Sequence, residues 1–192
     1  IPTEPFAVGP GGPVKTDALR KALYKQADRL LENTDANVAS ELLRRHPPHI
    51  QGVTPDDPIA ATGDLQTDAL NAVAGLDHSY LVIQGPPGAG KTYTTSHIIV
   101  ELLKRGKKVG VASNSHHVVH NVLEKVDAVA AEQDVVFKGV KKAGKGKDTE
   151  YKSASIRSIK KNDQVGAADS LFAGTAWFFS SEPMADQLDY LF

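Results

Sequence analysis

A glycine-rich segment of eight residues places the strongest constraint on how this chain can fold. Residues 85–92 read Gly-Pro-Pro-Gly-Ala-Gly-Lys-Thr and fit the spacing G-x-x-x-x-G-K-[ST]. An apolar run at 80–84 precedes the segment, and an amphipathic pattern begins directly after it. Because the pattern and its flanking elements agree, they predict a strand, a phosphate-binding loop and a helix within an α/β domain.

The residue types of this loop indicate its chemistry. Glycines let backbone N–H groups curl round phosphates, and the following helix presents free N–H groups and the positive end of its dipole. Lys91 is expected to reach the β- and γ-phosphates and the Thr92 hydroxyl to ligate Mg²⁺, so these are the candidate catalytic residues and ATP and Mg²⁺ the expected cofactors. The candidate nucleotide-binding residues of this segment are Gly85, Pro86, Pro87, Gly88, Ala89, Gly90, Lys91, Thr92 and Tyr93.

Composition excludes several other classes of protein. Lys and Arg total 22 while Asp and Glu total 23, so no overall basic field attracts nucleic acid and any such binding must be local. The chain has no Cys, which excludes disulfides and thiolate metal sites. Its apolar runs are far shorter than the roughly 20 residues that span a bilayer. We therefore expect a cytoplasmic protein with no membrane partner.

Three regions follow one another along the chain. Residues 1–14 are rich in Pro and Gly, which predicts a disordered lead-in. Residues 15–63 contain two helical patterns and a loop, which predict a helical arm and linker. Residues 64–192 alternate between helix and strand patterns, and this alternation predicts a parallel sheet flanked by helices.

The same patterns predict the individual elements. Helices are expected in the arm over 16–31 and 36–45. The remainder is expected to contain a helix at 64–74, a strand at 80–84, a helix at 91–105, a strand at 108–112, a helix at 116–130, a strand at 135–140, a mobile basic loop at 141–147, a strand at 171–175, a helix at 182–187 and a strand at 188–192.

The loop resembles motif I of superfamily 1B helicases, the group that contains the nonsense-mediated-decay helicase and the Dna2-type nuclease-helicases. The resemblance lies in IQGPPGAGKT at 83–92, with Gln84 before the loop and two prolines inside it. It implies the first RecA-like domain of a helicase, an incomplete P-loop NTPase fold preceded by the helical arm. Upstream, QTDAL at 66–70 resembles the family's Q-x-x-A-[VL] element, whose Gln reads the adenine edge. This implies Gln66 as a nucleotide-binding residue, the alternative being a solvent-facing helical Gln.

A second resemblance follows the strand at 108–112, where Ser113, Asn114 and Ser115 are similar to motif Ia. In relatives this turn holds the backbone of a single strand, and short polar side chains at a helix start suit a phosphate. Ser113, Asn114, Ser115 and His116 are therefore candidate nucleic-acid-binding residues, with simple N-capping as the alternative. His116 and His120 have a spacing that zinc ligands use, but no third ligand stands out.

A further segment, LFAGTAW at 171–177, resembles the strand and T-x-x-[GA] element between motifs Ia and II. Together with DYLF at 189–192 it is especially similar to bacterial helicases coupled to RecB-like nucleases. Thr175 is a candidate for binding the nucleic-acid backbone, the alternative being a strand-end Thr that satisfies local backbone groups. Trp177 and the two Phe residues after it could stack bases, but most are expected in the core. The lysines at 138–147 are expected mainly to form a solvated insertion.

Hydrolysis of ATP needs carboxylates that hold Mg²⁺ and orient water, and no apolar strand of this chain runs into an Asp-Glu pair. In the family such a pair follows a strand like 189–192, so we expect a piece of a longer protein that stops before Walker B and is inactive alone. The resemblance implies that the longer protein moves 5′ to 3′ on single-stranded DNA or RNA. Its expected partners also include a second RecA-like domain and, in the nuclease-coupled group, a fused nuclease.

Two other classes of protein remain open from the sequence. A P-loop kinase or nucleotide-dependent switch would share the loop, although no cluster of lid arginines follows it. A nucleic-acid-binding module without ATPase activity is the third hypothesis, and the intact Lys91 and Thr92 argue against it.

Overall fold

A five-stranded parallel sheet forms the centre of the computed structural model, which describes residues 14–32, 37–54, 57–60 and 62–192. The α/β prediction is therefore confirmed, whereas the lead-in at 1–14 lies outside the described residues except for Val14. The strand order across the sheet is β3-β2-β4-β1-β5. The strands are β1 (Val109–Ala112), β2 (Gly139–Lys142), β3 (Ile156–Ile159), β4 (Leu171–Gly174) and β5 (Tyr190–Leu191).

Five longer helices agree with the predicted ones to within two residues at each end. The residue at which the second was expected to begin, 36, lies outside the described residues. Gly106 adopts a φ of 74° just after α4 and ends it, as its sequence position predicts. The described helices are α1 (Asp17–Leu31), α2 (Val38–Arg44), α3 (Leu65–Ala74), α4 (Lys91–Lys104), α5 (His116–Glu132) and the short α6 (Ala176–Phe179).

The core is divided between the two faces of the sheet, because alternate residues of each strand point to opposite sides. Leu171 packs with α4 and α5 on one face, whereas its neighbour Phe172 packs with Phe178 and Met184 on the other. Gly110 belongs to the second face, where a Cβ would lie 2.7 Å from side-chain carbons of Leu188 and Leu191. The members of the larger cluster from α4 and α5 include Ile98, Ile99, Leu102, Val119, Leu123 and Val126.

Two predictions around the central strands are wrong in position. The strand expected at 135–140 begins only at Gly139, since Asp134 adopts a φ of 53° and Val136 is 95% exposed. The first two residues of the loop predicted at 141–147, Lys141 and Lys142, belong to strand β2. Beyond the strand, Thr149 ties the segment together, because its hydroxyl accepts from Gly144 N at 2.9 Å and donates to Gly146 O at 2.5 Å.

Strand β3 was not predicted from the sequence, and the last two predicted elements are shorter in the structure. Strand β3 contributes two buried residues, Ile156 and Ile159, and pairs with β2 at the edge of the sheet. The helix expected at 182–187 is a 3₁₀ turn, Glu182–Met184, and the strand expected at 188–192 reduces to two residues.

The helical arm contacts the sheet domain through its first turn. The indole Nε1 of Trp177 donates to the Lys15 carbonyl at 2.9 Å, which joins the start of α1 to α6. Gln26 of α1 hydrogen-bonds Asn37 and Ser40, and this network holds α1 against α2. No helix within the described parts of the chain is long and apolar enough to cross a membrane.

Candidate functional site

The glycine-rich loop adopts backbone conformations that its sequence makes possible. Gly88 and Gly90 both have a φ of 80°, in the left-handed region where a Cβ is disfavoured. Between them, Ala89 N donates to Pro86 O at 3.2 Å and closes a tight turn. Gly88 and Gly90 are therefore required by the path of the backbone itself.

Lys91 lies folded over this loop. Its Nζ donates to Gly85 O at 2.6 Å and to Pro86 O at 2.8 Å. A Cβ on Gly85 would lie 3.5 Å from Lys91 Cγ and 3.3 Å from Ala89 Cβ, so the lysine stem packs closely on the loop. The ammonium group is thus held beside the backbone that would surround a phosphate.

The first turn of α4 is open to an anion. Gly90 is its N-cap and provides no side-chain cap, and the first turn contains no acidic residue. Thr92 and Tyr93 are exposed there. Uncapped N–H groups at a helix N-terminus favour negative charge. Lys91, these N–H groups and the Thr92 hydroxyl therefore fit a Mg²⁺-bound nucleoside triphosphate.

The sheet places this loop at its carboxyl edge, although the segment before the loop is not a strand. Helix α4 leads through the short connection 105–108 into β1, so it runs antiparallel to β1 and starts at the carboxyl edge. The strand predicted at 80–84 is wrong in this structure. In agreement with this, Val82 is 71% exposed and does not lie in the core.

Gln66 lies away from the residues of the loop. It sits in the first turn of α3, where Asp64 caps the helix by accepting from Gln66 N at 3.2 Å. Its side chain lines a small cleft with His97 and Glu101 of α4, and none of the described residues that line this cleft belongs to 85–92. Its role as a reader of adenine stays a prediction.

The turn after β1 and the turn after β4 meet at the carboxyl edge. Ser113 N donates to Gly174 O at 3.3 Å, which joins the two turns. Ser115 is the N-cap residue of α5 but makes no side-chain cap hydrogen bond, and neither does Thr175 at the start of α6. Ser113 Oγ accepts a hydrogen bond from Ser115 N at 3.4 Å, and Asn114 and Ser115 are exposed. Nucleic-acid binding by these residues stays a prediction. Residues some 60 positions apart are brought to one surface.

His116 begins α5 and is paired with a buried lysine that sequence reasoning had placed in a solvated loop. Lys141 is fully buried, and its Nζ lies 2.9 Å from His116 Nδ1 and donates to the Thr149 carbonyl. Burial lowers the pKa of Lys141 to about 8, although the nearby Asp148 opposes the shift. Burial and the charge of Lys141 also lower the pKa of His116. Both effects therefore favour the neutral imidazole of His116 over its protonated form.

Comparison with known proteins places the site in a family. A family model described as an AAA domain matches residues 62–167, more than half of the chain. The matched range contains Gln66, the whole glycine-rich loop and the turn at 113–116, whereas Thr175 lies beyond it. No curated protein matches the chain.

Proposed function

The chain belongs to the AAA domain family, a family of helicase-type P-loop NTPase domains in superfamily 1, and from this membership we propose that it is the ATP-binding part of a superfamily 1B DNA or RNA helicase. The observation that carries the proposal is the loop itself. Its glycines, its folded-over Lys91 and the uncapped start of α4 together form a cradle for phosphates. When bound there, ATP with Mg²⁺ would supply the phosphoryl group whose hydrolysis drives movement.

The chain's own residues would divide the binding of ATP among them. Backbone N–H groups of the loop and of the first turn of α4 would hold the phosphates, and Lys91 would move from the carbonyls of Gly85 and Pro86 to the phosphate oxygens. The Thr92 hydroxyl would orient the metal ion. Gln66 is proposed to read adenine, which requires the base to extend from the loop toward α3.

A single strand of nucleic acid is the proposed partner of the second part of the site. Hydrogen-bond donors at one edge of the sheet come from the exposed Asn114 and from the hydroxyls of Ser115 and Thr175, which cap no helix within the described part of the chain. That edge also carries the phosphate-binding loop, so ATP and the strand would bind to the same layer of turns. The similarity of 171–177 and 189–192 supports our further proposal that the chain belongs to the subgroup coupled to RecB-like nucleases. The resemblance to superfamily 1B supports movement from 5′ to 3′.

Nucleotide binding by the chain tests the first part of this proposal. The affinity for a fluorescent ATP analogue in Mg²⁺ is measured for the wild type, Lys91→Ala and the matched control Lys104→Ala, which removes a lysine from the far end of the same helix. Losing charge-assisted hydrogen bonds of about 1.5–3 kcal/mol should weaken binding about ten-fold or more in Lys91→Ala. Lys104→Ala should bind as the wild type does.

Equal affinities in all three proteins would refute the role of the loop. Two additions to the same titration distinguish a helicase from a kinase: single-stranded nucleic acid and a small-molecule phosphoryl acceptor. Added single-stranded DNA or RNA should change the affinity for the ATP analogue if the chain is part of a helicase. If only a small hydroxyl-bearing acceptor changes it, a kinase would be the better description.

A further inference from the structure

A cavity of 620 Å³ opens at the carboxyl ends of three neighbouring strands, beside the turns proposed to hold a single strand. Lys142 is the last residue of β2, Lys160 and Lys161 follow β3 directly, and Thr175 follows β4. All four line the cavity, together with His116 from the start of α5. The cavity therefore continues the surface formed by the turns after β1 and β4, and β3, which the sequence did not reveal, provides one of its walls.

The charge of this cavity suits an anion. Three ammonium groups line it against one carboxylate, that of Asp163. The Lys142 Nζ is held by the Lys160 carbonyl at 2.9 Å and not by an acid, and the Lys160 Nζ pairs with Glu150 at 3.0 Å on an exposed surface. Among the described residues, Lys161 has no ion-pair partner. Lysine acts as a mobile point charge, so Lys161 is placed to meet a phosphate that enters the cavity.

His116 adds a neutral donor to the same cavity. Because Lys141 donates to Nδ1, the proton of the neutral imidazole is assigned to Nε2. A Cβ on Gly144 would lie 3.0 Å from this Nε2, so a side chain at position 144 would crowd the ring. The buried Lys141 thus orients an N–H donor of His116.

Trp177 gives the cavity an aromatic wall. It is the only Trp in the chain, it is 38% exposed, and its indole Nε1 is fixed by the Lys15 carbonyl. An aromatic ring held at its edge and exposed on a basic surface is a platform for stacking a base. The Oδ1 of Asn162 lies nearby, buried and without a hydrogen-bond partner among the described residues, so an acceptor is available at a cavity that also offers donors.

We propose that this cavity binds one nucleotide unit of a single-stranded nucleic acid, with Lys161 and His116 on the phosphate and Trp177 stacked on the base. The inference rests on the proposed function, since the strand that it describes is the proposed partner. Beyond His116, which the sequence already predicts as a nucleic-acid-binding residue, it assigns Lys161 and Trp177 to that partner. The unit fits the cavity because pockets of several hundred cubic ångströms hold ligands of nucleotide size.

The lone tryptophan allows a direct test. Trp177 fluorescence and fluorescence anisotropy are recorded for the wild-type chain with an oligothymidine of about 20 nucleotides, an abasic strand of equal length, dTMP and inorganic phosphate. Oligothymidine should bind and quench the tryptophan, and the abasic strand should bind more weakly without quenching it. Binding of oligothymidine with no quenching would overturn the stacking. Equal quenching by dTMP at equal concentration would show that the cavity binds free nucleotides, and would overturn the proposal that it binds a single strand.

Three variants separate the phosphate contact from the base contact. Lys161→Ala should make the dependence of log affinity on log salt shallower by about 0.7, the value for one phosphate of a single strand. Lys125→Ala removes an exposed lysine of α5 outside the cavity and should leave that slope unchanged. Trp177→Leu should weaken binding of oligothymidine about five-fold or more, and Trp177→Phe, which keeps a ring, should restore most of it.

Failure of this inference is distinguishable from failure of the proposed function. If Lys161→Ala and Lys125→Ala behave alike while Lys91→Ala loses the ATP analogue, the cavity has no role and the nucleotide site stands. If the wild-type chain binds no single strand at all, both this inference and the nucleic-acid part of the proposed function are overturned.

Discussion

Replacing Lys141 with Met should remove a rise in stability at alkaline pH that the wild-type protein shows. Lys141 is fully buried in β2, and burial lowers its pKa to about 8 from an ordinary value of 10.5. The folded state therefore binds fewer protons than the unfolded state between these two pH values. Stability must increase with pH in that window, because the penalty for burying the charged lysine is present below pH 8 and is relieved above it.

The expected size of the effect follows from the two pKa values. Each pKa unit corresponds to about 1.36 kcal/mol, and integrating the difference in bound protons from about pH 7 to about pH 9.5 gives about 2 kcal/mol. The range stops there because burial and a hydrogen bond to Asp127 raise the pKa of Tyr151. A tyrosine whose pKa is raised by folding loses its stabilising effect at higher pH, which would oppose the rise.

Urea denaturation at several pH values measures the free energy of unfolding. The wild type should gain about 2 kcal/mol over this range, whereas Lys141→Met should show a nearly flat profile. Lys138→Met is the matched control, since Lys138 is exposed just before the same strand, and it should keep the rise. A flat wild-type profile, or the same rise in Lys141→Met, would refute the burial of this lysine.

Two further predictions concern an ion pair and the loop. Asp169 is almost fully buried, and its two carboxylate oxygens accept hydrogen bonds from the Arg157 guanidinium at 2.6 and 2.9 Å. Burial alone would raise the pKa of Asp169, but the hydrogen bonds from Arg157 and from Gly166 N lower it. The ion pair stabilises the fold fully above the unfolded-state pKa of about 3.9, and this stabilisation is lost as pH falls through the folded-state pKa of Asp169. Arg157→Met should therefore lower the free energy of unfolding by about 2 kcal/mol at neutral pH. It should also raise the pH midpoint of acid unfolding, which circular dichroism measures. Gly90→Ala should strain the loop by about 1–2 kcal/mol and weaken binding of the ATP analogue in the titration proposed for Lys91, whereas Gly166→Ala, with only an ordinary contact at 3.5 Å, should not.

The parts of the fold that depend on local sequence could be predicted. The bounds of α4 and α5 follow from apolar spacing, from a glycine that ends the first and from the polar turn that starts the second. The phosphate-binding loop was equally predictable, because Gly88 and Gly90 adopt conformations that few other residues tolerate. Such features depend on residues within a few positions of one another.

Some elements were predicted wrongly because a short sequence pattern fits more than one structure. Residues 135–140 begin with two Val and a Phe, residue types that are typical of a strand, but Asp134 and the exposed Val136 turn the chain before the sheet begins. Strand β3 carries only Ile156 and Ile159 as buried apolar residues, so its signal in the sequence is weak. The lysines at 138–147 looked like a solvated run because charge usually indicates exposure.

The sequence by itself determined the phosphate-binding loop, the helix that follows it and the alternation of an α/β domain, since backbone sterics and side-chain periodicity act over short distances. Only the tertiary structure decided that Lys141 is buried against His116, that the Gly174 carbonyl joins the turn after β1, and that Lys161 and Trp177 share a cavity. These facts depend on which strands become neighbours. Parallel strands bring together turns that are far apart in the chain, and no local pattern records that proximity.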